Sequence, residues 1–174
     1  MKVLLVSDNH GDAQILQTIH DHFEGKVDAF FHCGDSNLPS NDPVMAPYQT
    51  VIGNTDWGFT YPSIVQKEFP AGKVVITHGH KYQVNTSLTP LLMLAREKQA
   101  LIMGFGHTHQ LGCEVVKGTL FINPGSISQP RGEYTRLGGT FATVEVTSNT
   151  FEVQYYTRDC HPVNELKFSL KLTH

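Results

Sequence analysis

The first half of the chain alternates short apolar runs with a helix-like pattern. Residues 3–6 form a continuous apolar run, which is typical of a strand buried on both faces. Asp12 can then cap a helix that ends near Gly25, because apolar residues recur between them at helical spacing. These residues are Ile15, Leu16, Ile19 and Phe23. Further strands are predicted over 29–32 and 48–52, and the intervening segment 36–47 is rich in Asn, Asp, Ser and Pro, which predicts a loop.

The second half is mostly strand-like. Three hairpins are predicted from pairs of strand-like runs joined by short turns. The pairs are 64–69 with 73–77, 112–116 with 119–123, and 139–146 with 150–156. One helix is expected to start near 85–87 and to be followed by a strand over 101–105. Its buried positions are expected to be Leu88, Leu91, Leu92 and Ala95. Apolar residues alternate from 166 to 172, which predicts an added edge strand.

Five clusters of acidic, amide and imidazole side chains follow predicted strands. They are Asp8-Asn9-His10-Gly11, Gly34-Asp35, Gly53-Asn54-Thr55-Asp56, Thr77-His78-Gly79-His80 and Gly106-His107-Thr108-His109. Loops at one edge of an α/β sheet meet in space even when they are distant in sequence, so five loops can build one site. Carboxylate, amide and imidazole ligands without a thiolate suit one or two divalent ions such as Mn²⁺, Fe²⁺, Ni²⁺ or Zn²⁺. The pattern predicts a metal-dependent hydrolase.

Each of these residues has a simpler explanation when it is taken alone. A single Asp or His in such a turn more often caps a helix or completes a core hydrogen bond than binds a metal. Their joint order nevertheless favours metal ligation. For His80, the sequence favours equally a structural role and a role in supporting the neighbouring ligand His78. His32 is expected to be a buried imidazole with its hydrogen bonds satisfied, and His174 a surface residue.

Composition narrows the classes of function. The chain has 174 residues, 40% of them hydrophobic and 17% charged, which fits a single domain over 1–174. A net charge of −3 provides no cationic surface for stable nucleic-acid binding. No apolar stretch approaches the ~18 residues that span a bilayer. The three cysteines show neither disulfide nor zinc-site spacing. We therefore expect a cytoplasmic protein with no membrane or nucleic-acid partner.

The order of the five clusters resembles that of the calcineurin-like metallophosphoesterase superfamily. Within it, the chain is similar to the small bacterial and archaeal phosphodiesterase branch of the YfcE or YsnB type. The similarity runs from Met1 through Asn123-Pro124-Gly125-Ser126 and the closing strands. It implies an α/β fold, a four-layer αββα sandwich of two mixed β-sheets flanked by helices. It also implies a binuclear metal centre on the strand-end loops.

The resemblance further implies how two ions share the ligands. One metal would be held by Asp8, His10, Asp35 and His109. The other would be held by Asp35, Asn54, His78 and His107. Asp35 would thus bridge two divalent ions, with Mn²⁺ the first choice and Ni²⁺, Fe²⁺, Zn²⁺ or Mg²⁺ the alternatives. A hydroxide shared by the ions would attack phosphorus in line with the leaving oxygen. Asn54, Asp56 and His78 are expected to take part in catalysis.

Thr55 departs from the superfamily pattern. Many members carry a histidine at this position, where it is thought to protonate the leaving group. A threonine hydroxyl is a poor acid, so esters with good leaving groups should react best. Asp56 is expected to accept a hydrogen bond from a ligand imidazole and so to orient it.

Three functions of different classes follow from these residues. The leading hypothesis is a phosphodiesterase that acts on a small phosphorylated substrate. The second is a phosphomonoesterase or nucleotidase on the same centre, since the ligands do not encode ester type. The third is a non-catalytic protein-binding scaffold, as in the eukaryotic retromer, although the ligand set here is intact. A homodimer or higher homo-oligomer is compatible with the pattern but not required by it.

Overall fold

The computed structural model describes residues 1–172, so the expectation for His174 lies outside the described residues. The α-helices are α1 (Ala13–Phe23) and α2 (Thr89–Lys98). The strands are β1 (Lys2–Val6), β2 (Ala29–His32), β3 (Tyr48–Thr50), β4 (Ile64–Phe69), β5 (Gly72–Thr77), β6 (Ala100–Gly104), β7 (Gly112–Val116), β8 (Thr119–Asn123), β9 (Thr140–Val146), β10 (Thr150–Thr157) and β11 (Pro162–Lys171).

The strands form two mixed sheets. The first has the order β11-β10-β9-β1-β2-β3, and the second has the order β4-β5-β6-β8-β7. In the first sheet β1, β2 and β3 are parallel, while β9, β10 and β11 add antiparallel neighbours. In the second sheet β5, β6 and β8 are parallel, and β4 and β7 are antiparallel edges. The parallel strands of each sheet therefore end at one edge, which is where loops converge.

Apolar residues on both faces of the sheets create a four-layer sandwich. Val3 and Leu5 of β1 face the other sheet, where they belong to one apolar core with Val74 and Ile76 of β5. The alternate β1 side chains, including Leu4, pack against α1 on the outer face. The buried positions of α1 are Ile15, Leu16, Ile19 and Phe23, as the helical spacing predicts. The predicted αββα arrangement of two mixed sheets is confirmed.

Helix α2 covers the outer face of the second sheet, but it starts later than predicted. It begins at Thr89 because Pro90 is tolerated only in the first turn, where its missing N–H leaves no hydrogen bond unmade. The shift changes which side chains are buried. Leu91, Leu94 and Ala95 are buried against β5 and β6, whereas Leu92 is only half-buried.

Other differences are small and local. The predicted loop over 36–47 contains a short 3-10 turn at Pro43–Met45, which the Asp42 side chain caps by accepting a hydrogen bond from the Val44 N–H. The edge strand at the end of the chain is confirmed, and it starts earlier than its alternating pattern, at Pro162. Among residues 1–172, no helix is long and apolar enough to cross a membrane.

Adjacent glycines before β9 provide a matched test of how closely this strand approaches the loop at Ile127. A Cβ on Gly139, where φ is +134°, would lie 2.1 Å from the Ile127 carbonyl oxygen, whereas a Cβ on Gly138 would contact nothing within 4 Å. We expect Gly139→Ala to lower the free energy of unfolding by more than about 3 kcal/mol. Gly138→Ala should cost about 1 kcal/mol, from the strain of its positive φ alone. Urea unfolding of both variants measures the difference, and equal losses would contradict the close approach.

Candidate metal centre

The clusters predicted from sequence meet at the carboxyl ends of β1, β2, β3, β5 and β6. Backbone hydrogen bonds join the loops, since the Asp8 N–H donates to the Gly34 carbonyl at 3.0 Å and the His10 N–H donates to the Asp35 carbonyl at 3.1 Å. The two sheets are linked as well, because the His107 N–H donates to Asp8 Oδ2 at 3.3 Å. Five loops from both sheets therefore form one site.

The backbone at this site is strained. Five of the predicted ligands have a left-handed φ between 46° and 67°. They are Asp8, His10, Asp35, His107 and His109. For a residue other than glycine this conformation costs about 1–2 kcal/mol, and such residues cluster at functional sites. The surrounding structure must hold these loops in place against that cost.

The first ligand group consists of Asp8, His10, Asp35 and His109. Their ligand atoms all lie within 4.8 Å of one another. His109 Nε2 lies 3.2 Å from Asp8 Oδ1, and His10 Nε2 lies 3.4 Å from His109 Nε2. Asp8, Asp35 and His109 are buried, and His10 is half-buried. One cation could contact all four side chains.

Hydrogen bonds on the far side of each ring determine which nitrogen faces the centre. His109 Nδ1 donates to the Gln129 carbonyl at 2.7 Å, and His10 Nδ1 donates to Asn37 Oδ1 at 3.0 Å. In a neutral imidazole the other nitrogen, Nε2, then carries a lone pair. The two Nε2 atoms face each other at 3.4 Å, and that of His109 lies 3.2 Å from Asp8 Oδ1, a buried oxygen with no hydrogen-bond donor among residues 1–172. Hydrogen-bond acceptors that face one another require a proton or a cation between them. This set of ligand atoms therefore fits a metal ion.

The second ligand group consists of Asp35, Asn54, His78 and His107. His78 Nδ1 donates to the Cys33 carbonyl at 2.7 Å, so its Nε2 lone pair faces inward. That Nε2 lies 3.1 Å from Asn54 Oδ1 and 3.4 Å from Asp35 Oδ2. The ring centres of His78 and His107 are 5.2 Å apart. Asn54 is exposed and His107 is half-buried, so this group opens to solvent, and Asp35 contacts both groups.

Charges at the site shift the pKa values of its ionisable groups. Burial lowers the pKa of His78, but Asp35 and Asp8 outweigh burial and raise that pKa above its ordinary value. Asp8, whose Oδ1 lies 3.2 Å from His109 Nε2, raises the pKa of His109. Burial raises the pKa of Asp35, but His78 and the Thr55 N–H outweigh it and hold that pKa well below the ordinary range. The carboxylates thus attract positive charge, which a proton or a metal can supply.

Asp56 anchors the loops and does not orient an imidazole. Its Oδ2 accepts hydrogen bonds from the Gly53 N–H at 2.7 Å and the Asp35 N–H at 3.0 Å, and its Oδ1 accepts from the Asn37 N–H at 2.7 Å. The side chain is buried and makes no hydrogen bond to a histidine. The expectation of an imidazole partner is wrong, because the backbone donors of two neighbouring loops occupy the carboxylate. Its geometry supports a positioning role and gives no support to a catalytic one.

Sequence reasoning missed two residues that hold the ligands. Asn37 accepts from His10, and its Nδ2 donates to the Thr55 carbonyl at 2.7 Å. Ser126 Oγ donates to the Asp8 carbonyl at 2.8 Å and accepts from the Gln129 N–H at 2.8 Å. Asn37 lies in a segment whose composition indicates only a loop. Ser126 belongs to the Asn-Pro-Gly-Ser turn, and that turn is a signal that points to this region.

Three further residues complete the environment. His32 is buried, donates to Asn9 Oδ1 at 2.9 Å and accepts from the Gly34 N–H, so it is a satisfied core imidazole as predicted. The Thr55 N–H donates to Asp35 Oδ1 at 2.8 Å. The His80 ring centre lies 5.3 Å from that of His78, close enough to pack against this ligand.

A family comparison agrees with this geometry. The model of the calcineurin-like phosphoesterase superfamily domain matches residues 1–149. The chain belongs to this superfamily. The family uses divalent metals, and the first ligand group is a cluster that could bind one. Membership and donor set together support hydrolysis of phosphoesters.

Individual relatives place this phosphoesterase chain within the superfamily. It is 35% identical over 167 residues to the Probable metallophosphoesterase YsnB of Bacillus subtilis, with 96% of this chain and 97% of the relative covered. An uncharacterized, predicted phosphoesterase of Streptococcus pneumoniae superposes with a TM-score of 0.93 at 36% identity, covering 98% and 97% of the two chains. YfcE, a phosphoesterase from E. coli, shares the fold, with a TM-score of 0.66 at 19% identity and coverage of 99% and 100%. The resemblance to the YsnB and YfcE type is confirmed.

The pKa shifts predict how pH changes the stability of the metal-free protein. Above about pH 6.5, stability should fall as the pH rises, because folding raises the pKa of His78 and His109. A histidine whose pKa is higher in the folded protein stabilises the fold most when the pH is below its pKa in the unfolded chain. That stabilisation is lost as the pH rises through its pKa in the folded protein. Burial lowers the pKa of His32 to about 4, so its contribution changes only below this window.

Thermal unfolding of chelator-treated protein between about pH 6.5 and about pH 7.5 measures the effect, where unfolded cysteines are still mostly protonated. Asp8→Asn removes the carboxylate and should flatten the slope. Added Mn²⁺ should stabilise the protein more at the higher pH, because metal binding must displace the protons. A melting temperature that rises across this window without metal would contradict the raised pKa values of His78 and His109.

Proposed function

We propose that the protein is a binuclear metal-dependent phosphodiesterase. The convergence of imidazole Nε2 atoms and carboxylate oxygens around Asp8 Oδ1 and Asp35 is the observation that carries this proposal. The first ligand group would hold one ion and the second the other, with Asp35 shared. Two divalent ions, with Mn²⁺ the first choice, supply positive charge for the phosphoryl oxygens and a nucleophile derived from water near neutral pH.

The protein's own residues supply rigid positioning. His78 and His109 are each oriented by a backbone carbonyl, so their Nε2 atoms are directed at the centre before any ligand binds. Asp56 and Asn37 hold the loops that carry Asp35 and His10. Preorganised groups need no rearrangement as charge develops in the transition state.

Asn54 and His78 are the residues we propose to act most directly. Asn54 is exposed at the open side of the second ligand group, where its amide can contact a phosphoryl oxygen of the substrate. His78 is buried and touches both Asp35 and Asn54. The Thr55 hydroxyl contacts Asn37 and is a poor acid. We therefore expect the enzyme to hydrolyse esters with good leaving groups fastest.

The setting of the enzyme forms part of the same proposal. We infer a single domain over 1–174 that acts in the cytoplasm on a small phosphorylated ester. The net charge of −3 supports the absence of a stable nucleic-acid partner. Self-association as a homodimer or higher homo-oligomer is compatible with this function, since the proposed centre draws all its ligands from one chain.

Hydrolysis of bis-p-nitrophenyl phosphate and p-nitrophenyl phosphate tests the function. Chelator-stripped protein should be inactive, and Mn²⁺ should restore turnover of the diester above that of the monoester. Asp35→Asn should lower kcat/KM by more than about 100-fold, because it removes the charge shared by both ions. Asp21→Asn, on the exposed face of α1, is the matched control and should retain activity.

Three other outcomes would each contradict one part of the proposal: the ester type, the role of Asp35 or catalysis itself. Preference for the monoester would replace the phosphodiesterase with a phosphomonoesterase or nucleotidase. Full activity of Asp35→Asn with metal present would show that Asp35 does not bridge. Inactivity with every metal, in a folded protein that binds two ions, would favour the scaffold function.

A further inference from the structure

A cavity of about 460 Å³ borders the loop that carries His107 and His109. Thr108, which lies between these two histidines in the chain, forms part of its wall. Asn123 lines the same end and is already paired, since its Nδ2 donates to Thr108 Oγ1 and to the Gly106 carbonyl, each at 3.0 Å. The wall of the cavity therefore includes part of the loop that carries two of the predicted metal ligands.

The walls of the cavity combine apolar side chains with uncharged polar ones, such as Asn85 and Gln110. One side is formed by the segment that precedes α2, and the other by β7, β8 and the end of β6. The apolar lining comprises Val84, Leu88, Phe105 and Phe121. Among residues 1–172, neither lysine nor arginine lines it, and its one charged residue is Glu114. An apolar wall beside a carboxylate disfavours a second phosphate and suits an uncharged group.

A second cavity, of about 160 Å³, continues along α2. It shares Leu88, Glu114 and Phe121 with the first and adds Leu92 and Val116. Together the two cavities form a groove between α2 and the β7–β8 hairpin, which we call the α2 groove. Its size falls in the range of small-molecule sites, which are typically about 300–1,000 Å³.

We propose that the α2 groove binds an uncharged, apolar ester group, aryl or alkyl, on a phosphodiester whose phosphate lies at the metal centre. This proposal rests on the proposed function and adds a substrate class to it. A diester carries a second organic group that does not leave, and the groove, which borders the loop of His107 and His109, offers that group an apolar surface. A phosphomonoester has no such group.

Gly112 allows the groove to be filled without disturbing the fold. It lines the cavity, and a Cβ at this position would meet nothing within 4 Å. Strand alternation puts Gly112 on the same face of β7 as Glu114, while Cys113 between them packs into the core between the sheets. A phenylalanine at 112 would therefore project toward the groove, and an alanine would leave most of it open.

Two substrates with the same p-nitrophenolate leaving group provide the test: phenyl p-nitrophenyl phosphate and methyl p-nitrophenyl phosphate. The ratio of their kcat/KM values isolates the group that does not leave. Gly112→Phe should lower the phenyl-to-methyl ratio by about tenfold or more, and Gly112→Ala should change it by less than about twofold. A ratio that is the same in all three proteins would overturn the proposal. Circular dichroism and melting temperature verify that the variants are folded.

A binding measurement separates failure of the groove from failure of the proposed function. Phenylphosphonate, titrated into metal-loaded protein, should shift the backbone amide NMR signals of Gly112 and Glu114, and methylphosphonate should not. Those shifts without turnover of any ester would support the groove and contradict the phosphodiesterase function. Turnover with no phenyl-specific shift would support the function and contradict the groove.

Discussion

The site depends on the repulsion between acceptor atoms that are directed at one small volume. His10, His78 and His109 each donate from Nδ1 to an oxygen outside the centre, which leaves three Nε2 lone pairs facing inward. The carboxylates of Asp8 and Asp35 point into the same region. This arrangement is unfavourable unless positive charge lies among these atoms. A bound cation offsets the repulsion, so metal binding and local stability are linked.

The fold keeps these groups in place even though their backbones are strained. Four of these five loops begin at the end of a strand that is paired on both sides, so little movement is available to them, and the fifth follows the edge strand β3. Polar side chains then tie the loops to one another. Asp56 binds three backbone amides, and Ser126 links Asp8 to the loop whose carbonyl orients His109. Packing of the apolar layers stabilises the fold, and these polar contacts between loops fix the positions of the ligand side chains.

Much of this architecture could be predicted because it follows from local patterns. The apolar run in β1 and the helical spacing in α1 each depend on residues close together in the chain, and both were predicted correctly. The start of α2 was less accurate, because one proline changed which turn could be helical. The ligands themselves could be found because each lies within five residues of the end of a strand and their order resembles that of the superfamily.

The supporting contacts could not be predicted in the same way. Asn37 reaches His10 across 27 positions, and Ser126 reaches Asp8 across 118 positions. Nothing near Asp56 in the chain shows that its partners are backbone amides rather than an imidazole. The left-handed backbone of five ligands is likewise imposed by tertiary contacts, since Asp and His do not require it. Such features depend on where distant loops meet.

Anomalous diffraction from crystals grown with Mn²⁺ would test the central claim most directly. The account predicts two manganese peaks, one on each side of the Asp35 carboxylate and about 3.5–4 Å apart. One peak should be contacted by Asp8, His10 and His109, and the other by Asn54, His78 and His107. A single peak within the first ligand group, or peaks that Asp35 does not contact, would contradict the binuclear centre.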